Sequence, residues 1–212
     1  MKYSRLIPRI GLALALGGLV TALPASAQRM DKKMSRMEME KKMSEWPKAS
    51  RMAAMAMMEK YGSPMEMTRS MAMWGKTGQW KRTIIYDKEV QHDFPAAHTD
   101  VMQQFIDMRV PTAMFDDLAA FDGSVVVNRT NGEMSARCDM EAANFLALNL
   151  AYEIIEGKRT PDDARRMYGE QITAKKAGRP APYTERLTFT VPMGGTADPD
   201  KPLMMDKMGK GQ

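Results

Sequence analysis

The spacing of apolar and polar residues in the first half of the chain predicts helices before strands. Lys48–Tyr61 is rich in Ala and Met, both strong helix formers, and Gly62 suits the left-handed position after a helix end. The run Ser63-Pro64-Met65-Glu66 has the capping-box pattern, with Pro in the first helical position. We therefore expect one firm helix and then a second short helix that runs to about Met71.

Strand-like patterns follow. Residues 80–90 mix β-branched and aromatic side chains with charged ones and show no helical stripe, so they predict a strand. Residues 100–110 fit a helix or a strand, and we interpret them as a strand paired with the preceding one. A short helix is predicted at 112–121. The clearest signal is in 124–138, where Asn131-Gly132 joins two β-rich runs and favours a two-residue type I′ hairpin turn.

Helical patterns return after the predicted hairpin. Residues 140–156 carry apolar side chains around most of the helical circumference, which predicts a buried central helix with Asp139 as its cap. Thr160-Pro161 then begins a helix with an acidic first turn, and 183–191 predicts an edge strand. These elements indicate one α+β domain, residues 46–191, in which a small antiparallel sheet of three or four strands packs against several helices.

The first 27 residues have the three parts of a secretory signal peptide. Three basic residues precede an apolar run, 10–23, and Ala25-Ser26-Ala27 supplies a small-residue cleavage site. The apolar run is shorter than the roughly 20 residues that cross a bilayer. We therefore expect removal of residues 1–27, no transmembrane segment afterwards, and a location in the periplasm or outside the cell.

Two further segments flank the predicted domain. Residues 28–45 are dense in Met and Lys and lack bulky β-branched side chains, which predicts a frayed helix or a flexible, disordered arm. Residues 192–212 are rich in Gly, Pro, Asp and Lys, which predicts a disordered tail.

Charge gives no reason to expect a nucleic-acid ligand. The chain has 31 Lys and Arg against 26 Asp and Glu, but three of the basic residues fall within residues 1–27. Subtracting these three leaves 28 basic against 26 acidic residues, so the mature chain is nearly neutral. The single cysteine excludes an internal disulfide framework, so an ordinary hydrophobic core must stabilise the domain.

Methionine is concentrated in one stretch of the chain, where 13 of the 24 methionines fall between Met30 and Met73. Thioethers are soft and flexible, so such a stretch can bind Cu(I) or Ag(I), fill a loose apolar core, or absorb oxidant as sulfoxide. Closely spaced pairs favour metal binding, whereas irregular spacing and the lack of His and Cys in the stretch favour core filling. The candidate ligands are Met37, Met39, Met55, Met58, Met65, Met67, Met71 and Met73.

A second candidate site is the segment H-D-F-P-A-A-H-T-D at residues 92–100. Imidazole and carboxylate groups bind borderline metals or act in catalysis. Five residues separate its two histidines, a spacing that matches no established zinc motif, so hydrogen bonds that fix the loop are the alternative. The candidate metal ligands here are His92, His98 and Asp100.

Cys138 ends the second run of the predicted hairpin. Strand alternation places it on one face with Met134 and Ala136, which predicts a buried, inert thiol. A His–Cys pairing is an alternative, although no spacing places these residues together. No α/β-hydrolase, zinc-protease, Walker or dinucleotide motif is present, which disfavours an enzyme, and a small enzyme built on His92 and His98 is the remaining catalytic hypothesis.

Short segments scattered through the domain carry a further pattern. They are Lys60-Tyr61-Gly62, Trp80-Lys81-Arg82-Thr83, His92-Asp93-Phe94-Pro95 with His98 and Asp100, Arg109-Val110-Pro111, Asp122-Gly123-Ser124-Val125-Val126-Val127 and Ser135-Ala136-Arg137-Cys138. This pattern resembles a group of uncharacterised exported bacterial proteins over about residues 46–156. The resemblance implies an exported domain and no particular activity, cofactor or catalytic residue.

The sequence therefore predicts a soluble exported binding or interaction protein, with Cu(I) or Ag(I) handling by Met thioethers as its most specific hypothesis. The alternative is an envelope structural or interaction module in which methionines fill the core or absorb oxidant. In either case the expected partner is an unidentified protein or envelope surface, not a nucleic acid.

Overall fold

Helices and strands alternate irregularly along residues 36–204, the part of the chain that the computed structural model describes. The helices are α1 (Arg36–Met43), α2 (Lys48–Tyr61), α3 (Phe115–Phe121), α4 (Glu141–Ile155) and α5 (Pro161–Lys176). The strands are β1 (Glu66–Met67), β2 (Met71–Trp74), β3 (Arg82–His92), β4 (His98–Asp107), β5 (Val125–Asn128) and β6 (Glu133–Cys138). The predicted signal peptide, the first residues of the predicted arm and the last residues of the predicted tail lie outside this range.

The strands of this range form a six-stranded sheet in the order β1-β2-β3-β4-β6-β5, and each neighbouring pair is antiparallel. The α+β prediction is confirmed, but the sheet is larger than the three or four strands expected. The central pair, β3 and β4, runs from the partners Arg82 and Phe105 to the partners His92 and His98. The register therefore places the two histidines opposite each other at one end of the sheet.

The short helix predicted to run to about Met71 is wrong, because β1 and β2 occupy that part of the chain. Ala72 and Trp74 are buried, and Ala72 pairs with Ile85 of β3. The indole N–H of Trp74 donates to the carbonyl of Gly62 at 2.9 Å. Pairing with β3 and burial of the tryptophan thus override the local capping-box pattern, and they account for the extra strands.

The predicted hairpin is confirmed as β5 and β6, but its turn is not type I′. A type I′ turn needs a positive φ at both central residues, here Asn131 and Gly132. Gly132 has a φ of 62°, but no non-glycine residue among those described has a positive φ. The amide of Gly132 donates to the carbonyl of Arg129 at 3.1 Å, and the last strand pair is Asn128 with Glu133. Residues 129–132 therefore form a longer loop that ends in a left-handed glycine.

The edge strand predicted at 183–191 does not form; this segment begins in the short 3-10 turn Pro182–Thr184. Asn149 of α4 holds it. Its amide nitrogen donates to the carbonyls of Tyr183 and Arg186, and its amide oxygen accepts from the backbone N–H of Thr188 at 2.8 Å. A side-chain amide thus satisfies backbone groups that a neighbouring strand would otherwise have paired.

The segment predicted to be a flexible arm contains α1 where it is described. Met39 and Met43 of α1 are buried, in one hydrophobic cluster with Trp46 and with Met57 of α2. These methionines supply the buried apolar surface of a segment that lacks bulky β-branched side chains. The described part of the arm is therefore packed on the domain.

The described part of the predicted tail also contacts the domain. Thr196 is buried, and its hydroxyl donates to the carbonyl of Gly132 at 2.8 Å. Arg109 donates to the carbonyls of Gly195 and Ala197 at 2.9 and 2.8 Å. These contacts hold residues 195–197 against the β5–β6 hairpin, contrary to the expected disorder.

Helix α4 is the buried central helix that its pattern predicts, but the predicted cap is wrong, because Met140 and not Asp139 precedes the first turn and no side chain caps it. Its residues 143–151 are all buried, and the amide of Asn144 donates to the carbonyl of Met102 and to Gln104 of β4. The main hydrophobic core surrounds α4, and a second cluster surrounds α2. Within residues 36–204, no helix combines the length and apolarity that crossing a bilayer requires.

Candidate metal centre

The end of the β3–β4 hairpin brings together the side chains of the 92–100 segment. His92 ends β3, His98 begins β4, and their ring centroids are 5.0 Å apart. Asp100 lies two residues after His98, so strand alternation puts its side chain on the same face. The loop between the paired strands thus brings the two histidines next to each other, although five residues separate them in the sequence.

The ligand atoms of these side chains converge. One such atom from each of His92, His98 and Asp100 lies within 4.8 Å of those of the other two. Nε2 of His98 is 3.1 Å from Oδ1 of Asp100, and Nδ1 of His92 is 3.4 Å from Oδ2. In a tetrahedral site with bonds of about 2.0 to 2.2 Å, neighbouring ligand atoms are about 3.4 Å apart. Both N···O distances are close to this value, and they end on the two different oxygens of the Asp100 carboxylate.

The other nitrogen of His98 is within hydrogen-bond distance of an acceptor, and the other nitrogen of His92 faces a carboxylate just beyond that distance. Nδ1 of His98 is 2.8 Å from the carbonyl oxygen of Ala96, and Nε2 of His92 is 3.6 Å from a carboxylate oxygen of Asp122. A metal-binding histidine commonly has its second nitrogen directed at a carbonyl or carboxylate in this way, because that contact fixes the ring and the tautomer. Both rings thus direct their remaining nitrogen towards Asp100.

Asp100 lies where the two imidazoles converge. Its side chain is buried, and Oδ2 accepts a hydrogen bond from the hydroxyl of Ser124. Oδ1 accepts no well-aligned hydrogen bond, and Nε2 of His98 lies 3.1 Å from it. An unsatisfied buried polar atom costs about 1 to 3 kcal/mol, and more when the group is charged. A metal ion at this oxygen would remove that cost.

Residues around the loop before β5 support this arrangement. Asp122 is buried, accepts the backbone N–H of Ser124 at 2.8 Å, and faces His92. Burial raises the pKa of the Asp122 carboxyl. Neither Asp122 nor Ser124 was identified as a candidate from the sequence. Their position directly before a predicted strand was the available signal, but their distance from residues 92–100 along the chain gave no reason to join the two segments.

Cys138 is buried, as strand alternation predicts. The structure also brings it to the histidines, since its Sγ is 3.3 Å from Nε2 of His98 and 3.5 Å from Oδ1 of Asp139. Burial raises the pKa of the Cys138 thiol. No sequence spacing indicates this approach, because it follows from the pairing of β4 with β6.

The arrangement differs from that of a cysteine hydrolase. In a nucleophile–histidine–carboxylate relay, the nucleophile and the carboxylate contact opposite nitrogens of the imidazole. Here Cys138 and Asp100 both approach Nε2 of His98, while Nδ1 faces a backbone carbonyl. The geometry therefore supports ligand convergence better than nucleophilic catalysis.

The local charges favour a positive group between the ligands. The Asp100 carboxylate, with a smaller contribution from Cys138, raises the pKa of His98 to about 11. Protonated His98 supplies positive charge beside Asp100 in the absence of a metal. A divalent cation would replace that proton and bind the neutral ring, as metal coordination by histidine requires.

The methionine candidates are divided between the core and the surface. Met39 is 1% exposed and Met37 is 79% exposed, so these neighbours lie on opposite sides of α1. Met58 and Met67 pack against the cluster around α2. Exposed side chains include Met55, Met65 and Met71, and Met73 is half-buried. The set therefore combines core-filling and exposed side chains.

No protein-family model, curated protein or solved structure matches this chain. The interpretation of the His–Asp cluster accordingly rests on its geometry and chemistry.

Proposed function

We propose that this protein is an exported binding protein for a divalent transition-metal ion, held by His92, His98 and Asp100. The observation that carries the proposal is the shared orientation of the two imidazoles. Each has one nitrogen placed against a backbone or carboxylate acceptor and directs the other towards the buried Asp100 carboxylate. Two imidazoles and a carboxylate suit Zn²⁺ and similar borderline ions.

This ligand set favours a different metal from the Cu(I) or Ag(I) that the methionine stretch suggested. Cu(I) and Ag(I) prefer sulfur ligands, whereas the convergent atoms here are nitrogen and oxygen. The buried methionines Met39, Met43 and Met57 act as core filler in this proposal. The exported location remains part of the proposal, and it is supported by the signal-peptide pattern of residues 1–27.

The direct test is a Zn²⁺ competition titration of the mature chain, residues 28–212, against a colorimetric chelator. We expect one tightly bound ion per chain. Asp100→Asn, which keeps the shape of the side chain and removes its charge, should weaken binding about 100-fold, since even residues that only support a ligand contribute about 10- to 100-fold.

The matched control is Asp93→Asn. Asp93 lies in the same loop, but it is exposed and accepts a hydrogen bond from Gln91 at 2.7 Å instead of facing the histidines. This variant should bind Zn²⁺ like the wild type. Failure of the wild type to compete, or equal affinity in Asp100→Asn, would contradict the proposed function.

A further inference from the structure

A cavity of about 220 Å³ lies beside the candidate metal centre. His98 and Cys138 line it, whereas His92 and Asp100 do not. Of the three candidate ligands, His98 alone forms part of the cavity wall. A metal ion held by His98 would therefore border this space.

The described residues supply three convergent ligands, and tetrahedral coordination has four positions. Cys138 is close to His98, but His92, His98 and Asp100 alone share the mutual spacing of a metal site in the described range. Zinc sites with three protein ligands keep the fourth position for water or an exogenous ligand. Nε2 of His98, the nitrogen that faces Asp100, also lies 3.3 Å from Sγ of Cys138, and both residues line the cavity, so we expect the open position on the side of the cavity.

The cavity wall is mainly apolar. Ala96, Ala97, Ala143 and Ile172 contribute to it, together with the buried Tyr168. Pockets for drug-sized ligands have volumes of about 300 to 1,000 Å³, so this smaller space suits a compact molecule with an apolar body.

The charges at the cavity favour an anionic head group. Two exposed lysines of α5, Lys175 and Lys176, line it, and Asp139 is the opposing acidic side chain there. Together with a divalent ion at the centre, the local balance is positive. A carboxylate is a good ligand for such an ion, and it is attracted by both lysines.

We infer that the metal centre takes a small organic acid as its exogenous ligand, with the carboxylate on the metal's open position and the apolar body in the cavity. The inference rests on the proposed metal-binding function. It identifies a class of ligand or substrate for that centre, namely compact monocarboxylates with an apolar body.

The test uses the Co²⁺-loaded mature chain, because four-coordinate Co²⁺ gives visible absorption bands that respond to a change of ligand. Benzoate is the probe and benzyl alcohol is its neutral match. Benzoate should shift the bands saturably and at lower concentrations than acetate, which lacks the apolar body. Benzyl alcohol should leave the bands unchanged.

Variants then locate the bound benzoate. Ile172→Trp fills the cavity and should weaken benzoate binding at least about tenfold while the Co²⁺ bands persist. Ala119→Trp, on an exposed position of α3 outside the cavity, is the control for tryptophan insertion. Replacing Lys175 and Lys176 with Gln should weaken benzoate binding a few-fold, because exposed charges contribute little to binding free energy. Lys42→Gln should leave benzoate binding unchanged.

The outcomes separate the two proposals. Failure of Co²⁺ to bind, measured by competition with a chelator, would contradict the metal-binding function itself. Normal bands that benzoate does not shift would overturn only the organic-acid inference. A thiolate-to-Co²⁺ charge-transfer band that disappears in Cys138→Ser would also overturn it, because Cys138 would then occupy the fourth position.

Discussion

Asp100 is the residue at which the chemistry of the centre is concentrated. Among the buried side-chain atoms that lack a hydrogen-bond partner in residues 36–204, its Oδ1 is the only carboxylate oxygen. The others belong to hydroxyl, amide and guanidinium groups, for which a water molecule is an ordinary partner. A buried carboxylate beside two imidazoles attracts positive charge, either the proton on His98 or a metal ion, and the residue is therefore the most informative position for mutagenesis.

Glu133 provides a separate test of electrostatics at the scale of single residues. Arg82 donates to both carboxylate oxygens of Glu133 at 2.7 Å, and Lys81 lies 2.7 Å away. These cations lower the pKa of Glu133 to about 2. A carboxyl whose pKa is lower in the folded than in the unfolded state adds stability above the unfolded pKa, and this stability is lost as pH falls towards the folded pKa.

The prediction compares wild type with Glu133→Gln in urea unfolding across pH 7 to 2.5. At pH 7 the variant should be less stable by about 1 to 2 kcal/mol, a discounted value because the cations are partly exposed. This difference should shrink as pH falls below about 4.5, the ordinary glutamate pKa. The exposed Glu170→Gln is the control, and a difference that stays constant with pH would contradict the role of this ion pair.

At the scale of elements, the β5–β6 loop and the following tail depend on one glycine. A Cβ on Gly132 would lie 2.2 Å from the backbone of Thr196, and the residue has a φ of 62°. Gly157 has a similar φ of 67°, but a Cβ there meets nothing within 4 Å. The two glycines therefore share the conformational strain of an alanine substitution and differ in the steric clash.

We expect Gly157→Ala to cost about 1 kcal/mol, the usual penalty at a left-handed position, and Gly132→Ala to cost clearly more. Displacement of the tail should also make the Ala197–Asp198 bond more sensitive to endoproteinase Asp-N in Gly132→Ala alone, because the N–H of Asp198 otherwise donates to the carbonyl of Thr130. Urea unfolding and limited proteolysis measure the two effects. Equal stability loss and equal cleavage in the two variants would show that the tail does not rest on the hairpin.

The elements differ in how far the sequence determines them. The hairpin, α2, α4 and α5 have local signals that agree with their surroundings, and Thr160 caps α5 as predicted, accepting from the backbone N–H of Asp163. Strands β1 and β2 have no such local signal: β2 is stabilised by pairing with β3, and β1 by pairing with β2. Propensity therefore gave a helix where tertiary contacts form strands.

The candidate site was only partly predictable for the same reason. His92, His98 and Asp100 were identifiable by residue type within one short segment. Their convergence depends on the β3–β4 register, and the approach of Cys138 depends on the pairing of β4 with β6. Non-local register is invisible in a single sequence without an established ligand spacing, so the cluster had no stronger support than the methionine stretch.

At the scale of the whole molecule, the candidate centre joins segments that are distant along the chain. The β3–β4 hairpin supplies the ligands, the loop before β5 supplies Asp122 and Ser124, and the end of β6 supplies Cys138. A bound ion would therefore contact several of these segments at once. The ion would be released when the segments separate on unfolding. Metal binding and global stability should be linked.

This linkage gives a prediction for thermal unfolding. An ion that binds only the folded state adds about 2.7 kcal/mol when its free concentration is 100 times Kd. For a chain of this size, each kcal/mol raises Tm by about 2 to 4 °C, so Zn²⁺ should raise Tm by about 5 to 10 °C. Asp93→Asn should show the same rise and Asp100→Asn almost none. An equal rise in Asp100→Asn would place the stabilising ion elsewhere, because this substitution removes the carboxylate that the two histidines face.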